Sequence, residues 1–216
     1  MSRLLEIMKS HPLTLIVNLP KNDVEMAKAA CDAGADALVI SHSENDKEII
    51  NSVLVPVGLD LPRNKAKELV PLLASDFDFM NFYPEMLEYN INPGKAKIVV
   101  LDESYSLDKL MTVSKEKIDA INAAIIPVRQ TGKDLVVGDL QNYIAMAMSS
   151  NLPVIVPTQR SIKISEVSII WDTGARGLLL TEVVLGASLK SMVKAIKEYR
   201  IAIDDISVDE DSITAS

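Results

Sequence analysis

The chain has 216 residues, 48% of them hydrophobic and 24% charged, and a formal net charge of -8 from 22 Lys plus Arg against 30 Asp plus Glu. That length carries one sizeable core in a single domain, and the acidic balance argues against a nucleic-acid backbone as partner. One Trp and three Phe leave few rings on which bases could stack. No apolar run reaches the roughly 18 residues a membrane span needs, and the amino terminus shows no signal-peptide pattern. Cys31, the single cysteine, excludes a disulfide framework and fits a cytoplasmic protein. Its setting in AKAACDAGA reads as a small buried hydrophobe.

Taken in order, residues 4 to 10 suggest a short helix, and LTLIVNL (13–19) a first strand. Asn22 and Asp23 are positioned to cap the helix VEMAKAACDAGA, and Gly34 to close it. ALVISH is the second strand, followed by a helix around SENDKEIINSV; VPVGLDL is the third, followed by a helix in RNKAKELVPLLAS that Pro71 is expected to kink. FDFMNFY is the fourth strand, and PEMLEYNINPGK leaves room for one or two helical turns. KIVVLDE is the fifth. The long interval after it contains SYSLDKLM, a candidate lid, and TVSKEKIDAINAAIIPVRQTG, a helical pattern with Ser114 as its cap. DLVVGDL then reads as the sixth strand with QNYIAMAMSSN as its helix, and PVIVPTQ and GLLLTEVV as the seventh and eighth. SEVSIIWDTGARG and ASLKSMVKAIKEYRIAI are the helices that follow strands seven and eight.

Strands alternating with helices, with no room for hairpins, require a parallel sheet covered by helices, and eight such units fit a (β/α)8 barrel. An open doubly wound sheet is the alternative, but it would carry a glycine-rich first turn where this chain has LPKND. The barrel domain is expected over residues 1–206, with a flexible acidic tail over 207–216. GAD at 34–36 and GAR at 174–176 recur ahead of the second and eighth strands, which suggests a shared way of packing helix onto strand.

AGADALVI and TGARGLLL, with VVLGASLKSMVKAIKEYRIAI, resemble the phosphate-binding TIM-barrel superfamily, which includes ribulose-phosphate-binding and indole-glycerol-phosphate-synthase-like barrels. The resemblance implies a barrel whose ligand phosphate sits on backbone N–H groups after strands seven and eight. Where that pattern has glycines, this chain reads Pro157, Thr158, Gln159, Arg160, Ser161 and then Thr181, Glu182. Arg160 could substitute a charged fork for backbone donors, whereas Glu182 would oppose a dianion.

Chemistry in a barrel gathers at the carboxyl ends of the strands. The sequence places Asn18, Ser41, His42, Asp60, Arg63, Asn81, Tyr83, Glu85, Asp102, Glu103, Asp139, Gln141, Gln159, Arg160, Thr181 and Glu182 there. Of these, His42, Asp60, Asp102 and Asp139 are the candidates for proton transfer, because crowded carboxyls and a histidine can hold protons near neutral pH. Asn18, Arg63, Asn81, Gln141, Gln159, Arg160 and Thr181 are the candidates for ligand contact. Glu103 and Glu182, with Asp60, Asp102 and Asp139, would suit Mg2+ or Mn2+, which prefer oxygen ligands. The competing structural roles for these carboxylates are helix caps and solvated rims. Tyr83 and Tyr105 are candidates to stack on a ligand or to pack at the rim. No HExxH or CxxC pattern supports zinc, and Lys97 and Lys133 are read at the starting ends of strands, which disfavours a Schiff-base lysine.

Three functions follow from this reading. The first is a lyase or isomerase acting on a small polar or phosphorylated metabolite with strand-end carboxylates. The second is a metabolite-binding or regulatory barrel without catalysis, and the third a flavin-dependent barrel oxidoreductase. VVLGASLKSM and MLEYNINPG are candidate apolar contacts for a homodimer.

Overall fold

The computed structural model describes residues 2–63, 77–86 and 95–214, those after Ile206 by backbone alone. Its eight strands are β1 (Thr14–Asn18), β2 (Ala37–Ser41), β3 (Val57–Asp60), β4 (Phe79–Phe82), β5 (Ala96–Leu101), β6 (Ala120–Ala123), β7 (Val154–Pro157) and β8 (Gly177–Leu180). Each lies parallel to the next and β8 pairs back onto β1, closing the barrel. Around it run α1 (Arg3–Ser10), α2 (Val24–Asp32), α3 (Asp46–Ser52), α4 (Leu107–Val113), α5 (Val137–Ser149), α6 (Val167–Asp172), α7 (Glu182–Leu185) and α8 (Leu189–Thr214). The helix expected over 63–75, with Pro71, falls almost wholly outside the described residues. So does most of PEMLEYNINPGK, of which Pro84–Met86 forms a 3-10 turn. Among the described residues no helix is long and apolar enough to cross a membrane.

The strands are buried on both faces, which is why their sequences are continuous apolar runs. Leu15, Val17, Leu38, Ile40, Leu178 and Leu180 face outward into the layer under the helices. Ile16, Ala37, Val39, Phe79, Ile98, Ala120, Ile155 and Leu179 fill the interior, joined by Leu4 and Met8 of α1. Asp23 caps α2 as its position predicts, accepting from Met26 N at 2.9 Å. The two recurring glycines, Gly34 and Gly174, adopt φ of +106° and +87°, letting each helix end turn directly into a strand.

Register and alternation stack the inward side chains in layers. Ile16, Gly58, Ile98 and Ile155 form the middle one, with Ala37, Phe79, Ala120 and Gly177 below it. A Cβ on Gly58 would stand 2.0 Å from the Phe79 ring. The absence of a side chain there is what allows a phenylalanine inside the barrel. Above the middle layer the interior turns polar: Asn81 and Asn122 with Val39 and Leu179, then Asn18 and Asp60 with Val100 and Pro157.

The sixth strand is not where the hydrophobic pattern places it. The helix expected over 112–132 is not formed: Thr112 and Val113 end α4, Ser114 is its C-cap, and the residues after it contain β6. SYSLDKLM is not a free lid but includes the start of α4, capped by Ser106. The segment IDAINAAII misleads because a strand buried on both faces has no alternation, and its alanines carry high helix propensity. DLVVGDL is the loop and first turn of α5, not a strand, with Val137 70% exposed. Asp139 and Gln141 therefore belong to a helix, and Lys133 is an exposed residue of the β6–α5 loop at the top of the barrel instead of the start of a strand.

Asp139 starts α5 by accepting from Val136 N at 3.1 Å, and the same carboxylate takes Arg160 through Nε at 2.8 Å and Nη2 at 3.2 Å. Arg160 Nη2 also donates to Gln130 Oε1 at 2.5 Å. The buried fork thus joins the β7–α6 loop to the β6–α5 loop and to a helix start.

Two stability predictions follow from these contacts. Asp139→Ala strands the buried guanidinium and is expected to cost about 3–5 kcal/mol in urea unfolding, most of which Asp139→Leu with Arg160→Met recovers. Gly58→Ala is expected to cost about 1–3 kcal/mol by overpacking, with Phe79→Leu restoring part of it in the same assay. A single variant as stable as the parent would show that the pair, or the ring, is not held as described.

Candidate functional site

The top of the barrel is floored by the polar layers. Asn81 lies 2% exposed and Asn122 5% exposed, both pointing inward, Asn81 between Asp60 and Ile98 and Asn122 between Val100 and Ile155. Asp60, one layer higher at the end of β3, is partly buried. Burial pushes its carboxyl above the usual value of 3.8, while a side-chain hydrogen bond from Asn81 works the other way. Asn18 is partly buried beside the same opening, and Ser41 is exposed at the rim. The Asn122 Oδ1 atom is buried without a hydrogen-bond partner.

A second cluster bridges the loops after β3, β4 and β5. Arg63 pairs with Glu85 at 2.9 Å and with Asp102, and its guanidinium lies 3.9 Å from the centre of the Tyr83 ring. Burial raises the Asp102 carboxyl, but two hydrogen bonds from Ser104 and the Arg63 charge outweigh it and hold the group at about 2. Asp102 is therefore a fixed anion at neutral pH and not a proton donor. Next to this cluster lies a cavity of about 550 Å3, with Arg63, Asp102, Tyr105, Lys109 and Val113 among its lining residues. Residues of α4 and of the end of β5 line it, whereas Asp60 and Asn122 do not.

The remaining candidates are used structurally or stand apart. Gln159 accepts from Ile126 N at 3.1 Å and donates to Ile126 O at 3.4 Å, while its own carbonyl takes Gly132 N at 2.8 Å. Together with Arg160 it pins the β6–α5 loop, so neither side chain is turned to the opening. Thr181 N donates to Thr158 Oγ1 at 2.8 Å and Thr181 Oγ1 to Thr158 O at 2.9 Å, tying the ends of β7 and β8 together. Thr158, Gln159, Ser161 and Ile162 spend their backbone N–H groups inside the protein as well. His42 faces away from the interior, its Nδ1 2.6 Å from Asp46, whose other oxygen caps the turn through Ser43 N at 2.9 Å. Glu103, Gln141 and Glu182 are exposed. The structure therefore joins Asp60 to Asn81 and Arg63 to Asp102 and Glu85, with Tyr83 in electrostatic reach of both groups, while Asp139 is drawn to Arg160 and Glu103 and Glu182 are exposed. Among the described residues no three His, Cys, Asp or Glu side chains converge as a metal site.

Asn122 is the member of the floor that the sequence reading omits. Its signal was present: reading IDAINAAII as a buried strand, period two, sets Asn122 on the inward face at the strand's end.

No protein-family model matches the chain, and no curated protein matches it in sequence. Solved structures share its fold. Thiamine phosphate pyrophosphorylase from Pyrococcus furiosus is 19% identical, with a TM-score of 0.66 over 91% of this chain and 98% of that one. Tryptophan synthase from M. tuberculosis, in its aminoacrylate- and BRD0059-bound form, is 11% identical, with a TM-score of 0.69 over 93% of this chain and 96% of that one. The structure of native KDPGal is 15% identical, with a TM-score of 0.65 over 89% of this chain and 95% of that one. At these identities the likeness is one of fold, and the chain is a single closed (β/α)8 barrel.

Proposed function

We propose that the protein is an enzyme of the isomerase or lyase type that moves a proton on a small polar metabolite held in the barrel mouth, with Asp60 as the acid–base group. The observation that carries this reading is the setting of Asp60. Of the carboxylates named from the sequence, Asp102 and Asp139 are paired with arginines and Glu103 and Glu182 face water. Asp60 points into the mouth, and desolvation makes it hold its proton more tightly than an ordinary aspartate. A carboxyl shifted toward neutral pH is what general acid–base catalysis requires. Asn81 orients that carboxyl, and Asn18 borders the space a substrate would occupy. The shared fold with thiamine phosphate pyrophosphorylase and tryptophan synthase is compatible with catalysis but does not transfer a reaction. The part of the substrate entering the mouth is polar but unphosphorylated in this reading, because Arg63 and Arg160 are both engaged with carboxylates.

The reading is tested by wash-in of solvent deuterium at C–H bonds next to a carbonyl, followed by proton NMR on a panel of small hydroxyketones and oxoacids. The parent is expected to exchange at least one compound, and Asp60→Asn to slow it by about 10²–10⁴-fold. Exchange that is absent throughout, or unchanged in Asp60→Asn, counts against the assignment.

Stability against pH gives a second, substrate-free check. The unfolded chain releases the Asp60 proton near 3.8 and the folded chain at a higher pH, so between those values the native state binds more protons. Stability from this group is therefore greatest at low pH and falls as pH rises through that window. Asp60→Asn is expected to melt above the parent at pH 7, with the difference closing as the pH approaches the unfolded value. A variant that melts below the parent at neutral pH would remove the basis for a strained carboxyl.

A further inference from the structure

We infer that the cavity between α4 and the end of β5 binds a small zwitterion with an apolar side chain, a free α-amino acid, with Lys109 taking its carboxylate and Asp108 its ammonium. Asp60 does not line this cavity, so the site stands apart from the proton-transfer reading.

The cavity of about 550 Å3 lies within the range of pockets that enclose small ligands. Val100, Leu101 and Val113, all buried, supply apolar lining together with the partly buried Tyr105 ring. Asp108 and Lys109 of α4 also line it and are exposed. The charged groups are therefore reached from solvent, and the buried side chains offer carbon surface to an apolar group.

The two cations of the lining are in different states. Arg63 is engaged, pairing with Glu85 at 2.9 Å and with Asp102. Lys109 is in no ion pair among the described residues, and neither is Asp108. Yet Lys109 is held in place: its Nζ donates to Ser104 Oγ at 2.7 Å, and Ser104 Oγ donates to Asp102 Oδ1 at 2.5 Å. The carboxylate fixed by Arg63 thus orients a hydroxyl, and the hydroxyl anchors the ammonium. One of the three ammonium N–H groups is used there, which leaves two for a ligand.

Charge narrows the class of that ligand. Glu85, Asp102 and Asp108 face Arg63 and Lys109 around the cavity, so a simple carboxylate adds negative charge to an already acidic lining, and a phosphate adds more. An amine without a carboxylate leaves Lys109 unmatched and is repelled by it. A zwitterion answers both unpaired charges and adds no net charge. An α-amino acid carries its ammonium and carboxylate on one carbon, matched to charges on consecutive residues of α4, and leaves its side chain to the apolar lining. Burial of that side chain supplies most of the affinity, because exposed ion pairs contribute little by themselves.

The test follows the methyl resonances of Val100, Leu101 and Val113 by NMR while L-leucine is titrated into the intact protein. They are expected to shift saturably, with a dissociation constant in the low millimolar range or below. Isovalerate and isoamylamine keep the branched tail but one charge each, and both are expected to bind about three-fold or more weakly than L-leucine. L-Serine keeps both charges without the apolar side chain and is expected to bind about ten-fold or more weakly. Lys109→Met and Asp108→Asn are each expected to weaken L-leucine by about three-fold or more. Both side chains are exposed, so the variants are expected to melt close to the parent. Shifts that stay linear in L-leucine overturn the inference, as do isovalerate or isoamylamine binding as tightly as L-leucine, or a Lys109→Met variant that binds it like the parent. The ligand series on the unaltered protein decides by itself if a variant does not fold.

Discussion

Phe79 stands inside the barrel, and its ring is there because Gly58 on the neighbouring strand has no side chain to exclude it. Closing eight strands leaves an interior of fixed volume, which close packing must fill without strain. A large ring in the lower layers obliges its neighbours to be small, as Ala37, Ala120 and Gly177 are. Isoleucines complete the middle layer, and the apolar plug formed by Leu4 and Met8 packs with this inner core. The lower barrel is filled mainly by apolar atoms, with Thr14 buried among them, and the other inward polar groups lie toward the upper ends of the strands. There Asn81 and Asn122 share one layer and Asn18 and Asp60 the next, with Asp60 and Asn81 in contact.

That placement explains the electrostatics of the mouth. Asp60 is raised by burial, whereas Asp102, one inward position beyond Val100, is pulled down to about 2 by Ser104 and Arg63. Two aspartates at comparable strand ends thus take opposite protonation behaviour from their surroundings, the separation on which acid–base sites depend. Arg63 and Arg160 have related roles. Each ties loops from different strands together, Arg63 at an exposed rim where the pair contributes little to stability, and Arg160 in a buried fork where loss of its partner is costly. The loops that surround the opening are held from two sides, while buried polar atoms without a partner remain both in the floor, at Asn122 Oδ1, and beside the outer cavity, at the Tyr105 hydroxyl.

The architecture was legible in the sequence to the extent that it rests on local rules. Seven of the eight strands, the cap at Asp23 and the turns at Gly34 and Gly174 follow from apolar runs, a short acceptor side chain and glycines at helix ends. β6 was hidden, because its alanines and isoleucines suit a helix as well as a doubly buried strand, and periodicity cannot separate the two. That one displacement carried Asp139 to a false strand end and passed over Asn122. His42, Gln159 and Thr181 were placed at real strand ends, but position along a strand does not say which way the following side chain turns or what it meets.

What the sequence by itself determined is the parallel barrel: the spacing of its buried runs admits no hairpins, and an acidic, nearly cysteine-free chain of this length needs one core and no cross-links. Only the tertiary structure decided the site. Whether a carboxylate is a helix cap, one arm of an ion pair or a desolvated acid depends on what neighbouring strands and loops bring to it across the barrel. Asp139, Asp102 and Asp60 are the same residue type after similar stretches of chain, and their partners, drawn from distant segments, make them different groups.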